Sequence, residues 1–235
     1  PCHMVFENKI DTFVGYQPLE SQPRTNFLCS FNRSGHESRK QFVLYLYALG
    51  LFNPDFCSKH FTIRDPAWYL QILGIETSDS IALENFANET YCQGTPMIGQ
   101  DIEHLSPLIN QSFITAVSET KAESQVPFPT EKICFPIANK ALWLAYAQTN
   151  YYQFIEQYLG FKKYTGINYN FDNIKDPIER LRYYMKELQR LSDLTDTQKQ
   201  DLYSVNREII EHNFYLLTSG QVIANIWEHS EANTY

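Results

Sequence analysis

Ser112-Phe113-Ile114-Thr115-Ala116-Val117-Ser118-Glu119 is a continuous apolar run that ends on an acid. Such a run predicts a buried strand that opens into a loop at Glu119. A second stretch, Phe128-Pro129-Thr130-Glu131-Lys132, follows shortly after. Thr130 is placed to cap a helix, with an acid and a base directly behind it. Lys132 in a first helical turn is electrostatically misplaced, because the macrodipole there already presents about half a positive charge. That arrangement is tolerated where an anion docks, and free N–H groups plus a lysine form a phosphate seat. A solvent-exposed lysine beside a cap is the plain alternative.

Outward from this pair, strand and helix signals alternate, which predicts an α/β fold with a parallel sheet flanked by helices. Residues 26–31 read as a strand. Residues 38–49, closed by Gly50, read as a buried helix, with strand competing because Val43, Tyr45 and Tyr47 alternate. Residues 59–64 are a candidate second strand. Residues 65–111 read as irregular apart from a short helix around Trp68 to Leu73. Residues 141–147 predict another strand, and Tyr151, Phe154, Ile155, Tyr158 and Leu159 make one helical face closed by Gly160. Residues 161–164 read as a further short strand. Asp176-Pro177-Ile178-Glu179 carries an N-cap, a proline at the first helical position and an acid in the capping-box position. Thr195 and Gln198 repeat that logic for a last helix with Leu202, Val205, Ile209 and Ile210 on its core face. Pro136 lacks an N–H and interrupts any continuous helix from Thr130.

Composition fits a folded domain. The chain has 235 residues, 43% hydrophobic and 20% charged, which excludes wholesale disorder. Aromatic residues reach 15%, and a large aromatic core explains them more simply than a stacking surface for sugars or bases. A formal net charge of -8 argues against general nucleic-acid binding, which relies on Lys and Arg against phosphate. No apolar run is long enough to span a bilayer, and Pro1 to Val5 has no signal-peptide character. Cys2, Cys29, Cys57, Cys92 and Cys134 show neither zinc nor redox spacing, so a reducing, cytoplasmic setting is expected. His3, His36, His60, His104, His212 and His229 show no paired ligand spacing, and there is no Asp-x-Asp motif, so no metal is expected. No Gly-rich phosphate loop occurs. A diphosphate would therefore need cationic side chains and a helix end, for which Arg33, Arg39 and Lys132 are the candidates. Glu131 suits vicinal hydroxyls of a ribose or a pyranose, or else merely compensates the helix dipole.

The ordered set of Phe27-Leu28-Cys29-Ser30-Phe31-Asn32-Arg33, then Arg39, then Ser118-Glu119-Thr120, then Thr130-Glu131-Lys132 resembles the donor-binding core of fucosyltransferase-like glycosyltransferases. Further on, Phe135-Pro136-Ile137-Ala138-Asn139-Lys140, Leu159-Gly160-Phe161 and Ile174-Lys175-Asp176-Pro177-Ile178-Glu179-Arg180 are similar to glycosyltransferases of marine phages and giant viruses. The resemblance implies a single Rossmann-like lobe of the GT-B type, with residues 25–216 as the nucleotide-sugar-binding domain. Residues 1–24 are then an extension or the remnant of a preceding lobe, and residues 217–235 a C-terminal tail. It also implies that Arg39 takes the family's phosphate-binding role and that Glu119 and Glu131 line the sugar-nucleotide pocket. Phe128 stands where the family often has a tyrosine.

The activity implied is metal-independent, inverting transfer of a sugar, fucose among the candidates, from a nucleotide diphosphate sugar as donor substrate with no further cofactor. Acceptor and general base are unassigned, because residues 1–25 are too few for an acceptor lobe of about a hundred residues. The alternative is a non-catalytic interaction or structural protein that keeps the fold.

Overall fold

The apolar runs around Leu28 and Ile114 become the two central strands of the sheet. The computed structural model describes residues 11–19, 23–76, 79–91, 102–120, 122–124, 127 and 129–225. Strand β1 (Asn26–Asn32) pairs in parallel with β2 (Cys57–Lys59) on one side and with β3 (Ser112–Ser118) on the other. Strand β4 (Leu142–Tyr146) pairs in parallel with β3, so the order is β2-β1-β3-β4. Leu28 lies opposite Ile114, and Ala116 opposite Leu144. Every residue of β3 and β4 is buried, as expected of parallel strands covered by helices on both faces. The fold is thus α/β and Rossmann-like.

The helices follow their caps. Helix α1 (Glu37–Ala48) leaves β1 after a short loop and ends at Gly50, whose φ of +68 suits glycine. Residues 65–111 carry the expected short helix as α2 (Pro66–Leu73), and the remainder, read above as irregular, carries two more: α3 (Ser80–Asn88) and α4 (Ile102–Asn110). Asp65 caps α2 by accepting from Trp68 N at 3.1 Å, and Asp79 caps α3 by accepting from Ala82 N at 2.8 Å. A 3₁₀ turn (Glu131–Ile133) leads into the short α5 (Cys134–Ala138). Helix α6 (Tyr151–Phe154) runs on as a π turn (Ile155–Leu159) that stops at Gly160. Asp176 caps α7 (Pro177–Ser192), and the Thr195–Gln198 capping box opens α8 (Asp196–Val205). Asn206 breaks the expected last helix into α8 and α9 (Arg207–Thr218).

Two expected strands differ. The second strand is Cys57–Lys59, earlier in the chain than residues 59–64. Lys59 ends it fully buried, its ammonium donating to the carbonyls of Phe61 at 2.8 Å, Ala87 at 3.2 Å and Glu89, with the Phe86 ring 5.2 Å away. Residues 161–164 are not a strand, because side chains of the last helices occupy their backbone. Asn213 accepts from Lys162 N at 2.8 Å and donates to Lys162 O at 2.9 Å. Asn206 does the same to Thr165, at 2.7 and 2.9 Å. Two carboxamides stand in for a neighbouring strand.

Most of the aromatic load is core. Trp143 stacks on Tyr152 at 5.6 Å, and Phe42 meets Tyr146 at 6.1 Å and Tyr184 at 5.7 Å. Phe13, upstream of the sheet, packs edge-on against Phe135 at 5.5 Å, and Leu217 and Val222 near the other end are also buried. Along the outer side of β4, Tyr164 Oη donates to Ala141 O at 3.3 Å, Ala145 N donates to Tyr152 Oη at 2.6 Å, and Arg180 Nε donates to Ala147 O at 2.9 Å. Among the described residues, no helix is long and apolar enough to cross a membrane.

Candidate functional site

The strand order reverses between β1 and β3. From β1 the chain moves outward to β2, then returns to the other flank of β1 as β3. In doubly wound sheets, the crevice outside the carboxyl ends of the strands at such a reversal is where ligands bind. Two connections meet there: the loop from Arg33 into α1, and the segment that follows Ser118. Gly35 is needed in the first, since a Cβ there would meet the Phe61 side chain at 2.9 Å.

Arg39, in the first turn of α1, is 2% exposed and reaches across the reversal. It donates through Nη1 to Ser34 O at 2.9 Å and through Nη2 to Ser118 O at 3.2 Å and to Thr120 Oγ1 at 3.5 Å. Burial lowers its pKa, while the charges of Glu119 and Glu131 oppose that shift. Lys132 approaches from the other side, donating through Nζ to Thr120 Oγ1 at 3.3 Å and Thr130 Oγ1 at 2.8 Å. Thr120 is therefore the meeting point of the two cations.

Beneath them lies Glu119, with no exposed surface. Its Oε1 accepts from Thr130 N at 3.0 Å and from Tyr151 Oη at 2.9 Å, and its Oε2 accepts from Thr130 Oγ1 at 2.5 Å. Lys132 Nζ stands 3.8 Å from the same Oε2. Burial first, then the Glu119 charge, pushes the Tyr151 phenol well above its ordinary pKa, so it stays a neutral donor. In this arrangement the carboxylate fixes the Thr130 turn and orients Lys132, and its oxygens are taken up by internal donors. Thr130 caps the 3₁₀ turn by accepting from Lys132 N at 3.4 Å.

The crevice also holds donors left over after internal bonding. Arg39 Nε, Ser38 Oγ and Ser118 Oγ are buried with no hydrogen-bond partner among the described residues. His36, at the cap position of α1, makes no side-chain cap bond. Buried polar groups in this state call for a partner that the described residues do not supply. A cavity of about 20 Å³, bordered by Lys132, Phe31, Thr115 and Phe135, adjoins the cluster and has room for about one water.

Of the residues singled out in the sequence, the fold gathers Arg39, Glu119, Thr130 and Lys132. Glu131 sits half-buried in the adjoining turn, close enough for its charge to act on Arg39. Arg33 is exposed on the β2 side, where its charge, after burial, helps to lower the pKa of His60. Phe128 lies outside the described residues. Ser118 and Thr120 flank Glu119 in the quoted corner but were given no role of their own, and Tyr151 and Ser38 carry no motif; the register of β3 and the placement of α1 and α6 bring these four in. Among the described residues, no three His, Cys, Asp or Glu side chains converge as a metal site. Comparison with protein-family models, with curated proteins and with solved structures finds no match to this chain.

Proposed function

We propose that the crevice at the β1–β3 reversal binds the diphosphate of a nucleotide sugar, and that the chain is the donor-binding part of a fucosyltransferase-like glycosyltransferase. The observation that carries this reading is the convergence of Arg39 and Lys132 on Thr120, beside buried donors without acceptors and an α1 N-terminus without a side-chain cap. A phosphate oxygen satisfies both needs, taking charge-assisted bonds from the cations and the unused backbone donors of the helix end. Arg33, exposed at the mouth of the same loop, would contact a phosphate further out. On this reading Glu131 would accept from a sugar or ribose hydroxyl, and Glu119 acts by holding Thr130 and Lys132 in position. No general base is assigned.

A second reading, a non-catalytic protein that keeps the fold, is favoured by the internal compensation of the same cations: Lys132 is paired with Glu119, and Arg39 with two carbonyls. Titration calorimetry with GDP-, UDP-, CMP- and dTDP-sugars and with GDP and UDP, with and without EDTA, separates the two. Under the first reading a diphosphate binds regardless of EDTA, and Lys132→Met and Arg39→Lys each weaken it by about 1.5–3 kcal/mol, or roughly 10- to 150-fold. If no nucleoside diphosphate binds at millimolar concentration to protein with a native near-UV spectrum, the donor-binding reading is lost and the second one stands.

A further inference from the structure

A larger cleft opens at the opposite end of the sheet, where the amino ends of β1 and β3 meet α8. Its volume is about 710 Å³, within the range of small-molecule sites. Phe27 and Phe113, at the starts of the two central strands, lie 5.9 Å apart in a stacked pair, and Tyr203 of α8 meets Phe113 edge-on at 5.8 Å. These three rings form a continuous aromatic wall. Two cations lie over it. The guanidinium of Arg24 sits 4.0 Å from the centre of the Tyr203 ring, and Lys199 Nζ is 5.6 Å from the Phe27 ring and 5.9 Å from the Phe113 ring. Arg24 Nε is buried and has no hydrogen-bond partner among the described residues.

A fold needs no such combination to close its core. Aromatic faces attract a cation without neutralising it, so the contacts of Arg24 and Lys199 with the rings supply no counter-charge. Asp196, also in the lining, offsets one of the two. The cleft thus carries a net charge of about one positive unit beside an apolar wall, which selects for a single negative charge on a flat body. A phosphate monoester brings more charge than the lining balances, and inorganic phosphate leaves the wall unused.

We propose that this cleft is a binding site for a planar aromatic monoanion, its ring against Phe27, Phe113 and Tyr203 and its charge between Arg24 and Lys199. The site is separate from the crevice at the carboxyl ends of the strands and does not depend on its function. The probe is 1-anilinonaphthalene-8-sulfonate, an aromatic monoanion with a flat naphthalene ring whose fluorescence rises in an apolar site, titrated into folded protein. Binding of one equivalent is expected, with displacement by 4-hydroxybenzoate and none by inorganic phosphate. Lys199→Met and Arg24→Gln should each weaken it about tenfold or more. Gln200→Trp, at an exposed position of the lining, should block the cleft while leaving both cations in place. Near-UV circular dichroism identifies the variants that keep the native fold. The proposal is overturned if the native wild type binds no probe, if phosphate displaces the probe as well as 4-hydroxybenzoate does, or if folded Gln200→Trp binds it unchanged.

Discussion

Replacing Glu119 with glutamine keeps the shape of the side chain and removes its charge, and it tests whether this residue organises the crevice. The amide oxygen can take the place of Oε1 and keep the bonds from Thr130 N and Tyr151 Oη, at 3.0 and 2.9 Å. The amide nitrogen then replaces Oε2, which accepts the 2.5 Å bond from Thr130 Oγ1 and faces Lys132 at 3.8 Å. One charge-assisted bond is lost, worth about 1.5–3 kcal/mol, and a cation is left uncompensated. Breaking a buried pair typically costs about 3–5 kcal/mol. Lys132 retains 15% of its side-chain exposure, which allows some hydration and places the expected loss near the lower bound, about 3 kcal/mol. With a urea m-value of about 2–3 kcal/mol/M, the unfolding midpoint should fall by about 1–1.5 M. Adding Lys132→Met to Glu119→Gln should recover part of the loss, with a coupling on the order of 1 kcal/mol. A midpoint shift below about 0.3 M, or strict additivity in the cycle, would refute the assignment of Glu119 as the charge that positions Lys132.

Burial lowers the Lys59 pKa from 10.5 to about 8, partly opposed by the charge of Glu89. Between those values the unfolded chain binds more protons than the folded one, so this residue makes stability rise with pH across that window and contributes no slope below it. Urea midpoints at several pH values should show the rise in the wild type and lose that component in Lys59→Met; equal slopes in both proteins would contradict it. Asn206→Ala removes bonds to Thr165 N, Thr165 O and Leu202 O, the last at 2.8 Å. The stranded Thr165 groups should cost about 2–3 kcal/mol, a fall of roughly 5–10 °C in melting temperature by calorimetry. A change within about 0.5 kcal/mol, the scale of ordinary surface substitutions, would show that the carboxamide is not acting as a substitute strand.

The central strands were legible because a buried parallel strand writes itself as an apolar run, as in Phe113 to Val117. The cap chemistry of Asp176 and of Thr195 with Gln198 was legible for the same local reason. Strand β2 was not, since Cys57-Ser58-Lys59 has only one apolar residue and owes its burial to neighbours. The short α2 was read from its apolar residues Trp68 to Leu73, whereas α3 is short and α4 carries Pro107 in its interior, so neither of these shows a long periodic face. In the crevice, the Thr130 cap could be read from a few consecutive residues. The burial of Glu119 could not, because it depends on donors from Thr130, Lys132 and Tyr151 brought together by the fold. The different surroundings of Arg33 and Arg39 likewise depend on the path of α1, which turns Arg39 toward β3 and leaves Arg33 beside His60.

The hydroxyls along β4 bear on how this protein meets other chains. The last strand of an open sheet is ordinarily a template on which a foreign strand, or a second copy, can add itself and begin aggregation. Here Tyr164 and Tyr152 occupy Ala141 O and Ala145 N, and the Arg180 guanidinium occupies Ala147 O. At the other edge, β2 is three residues long, and Lys59 is tied to Tyr91 by an antiparallel bridge. Tyrosine at these positions thus acts as an insulator: each phenol occupies a backbone group that β-augmentation would otherwise use.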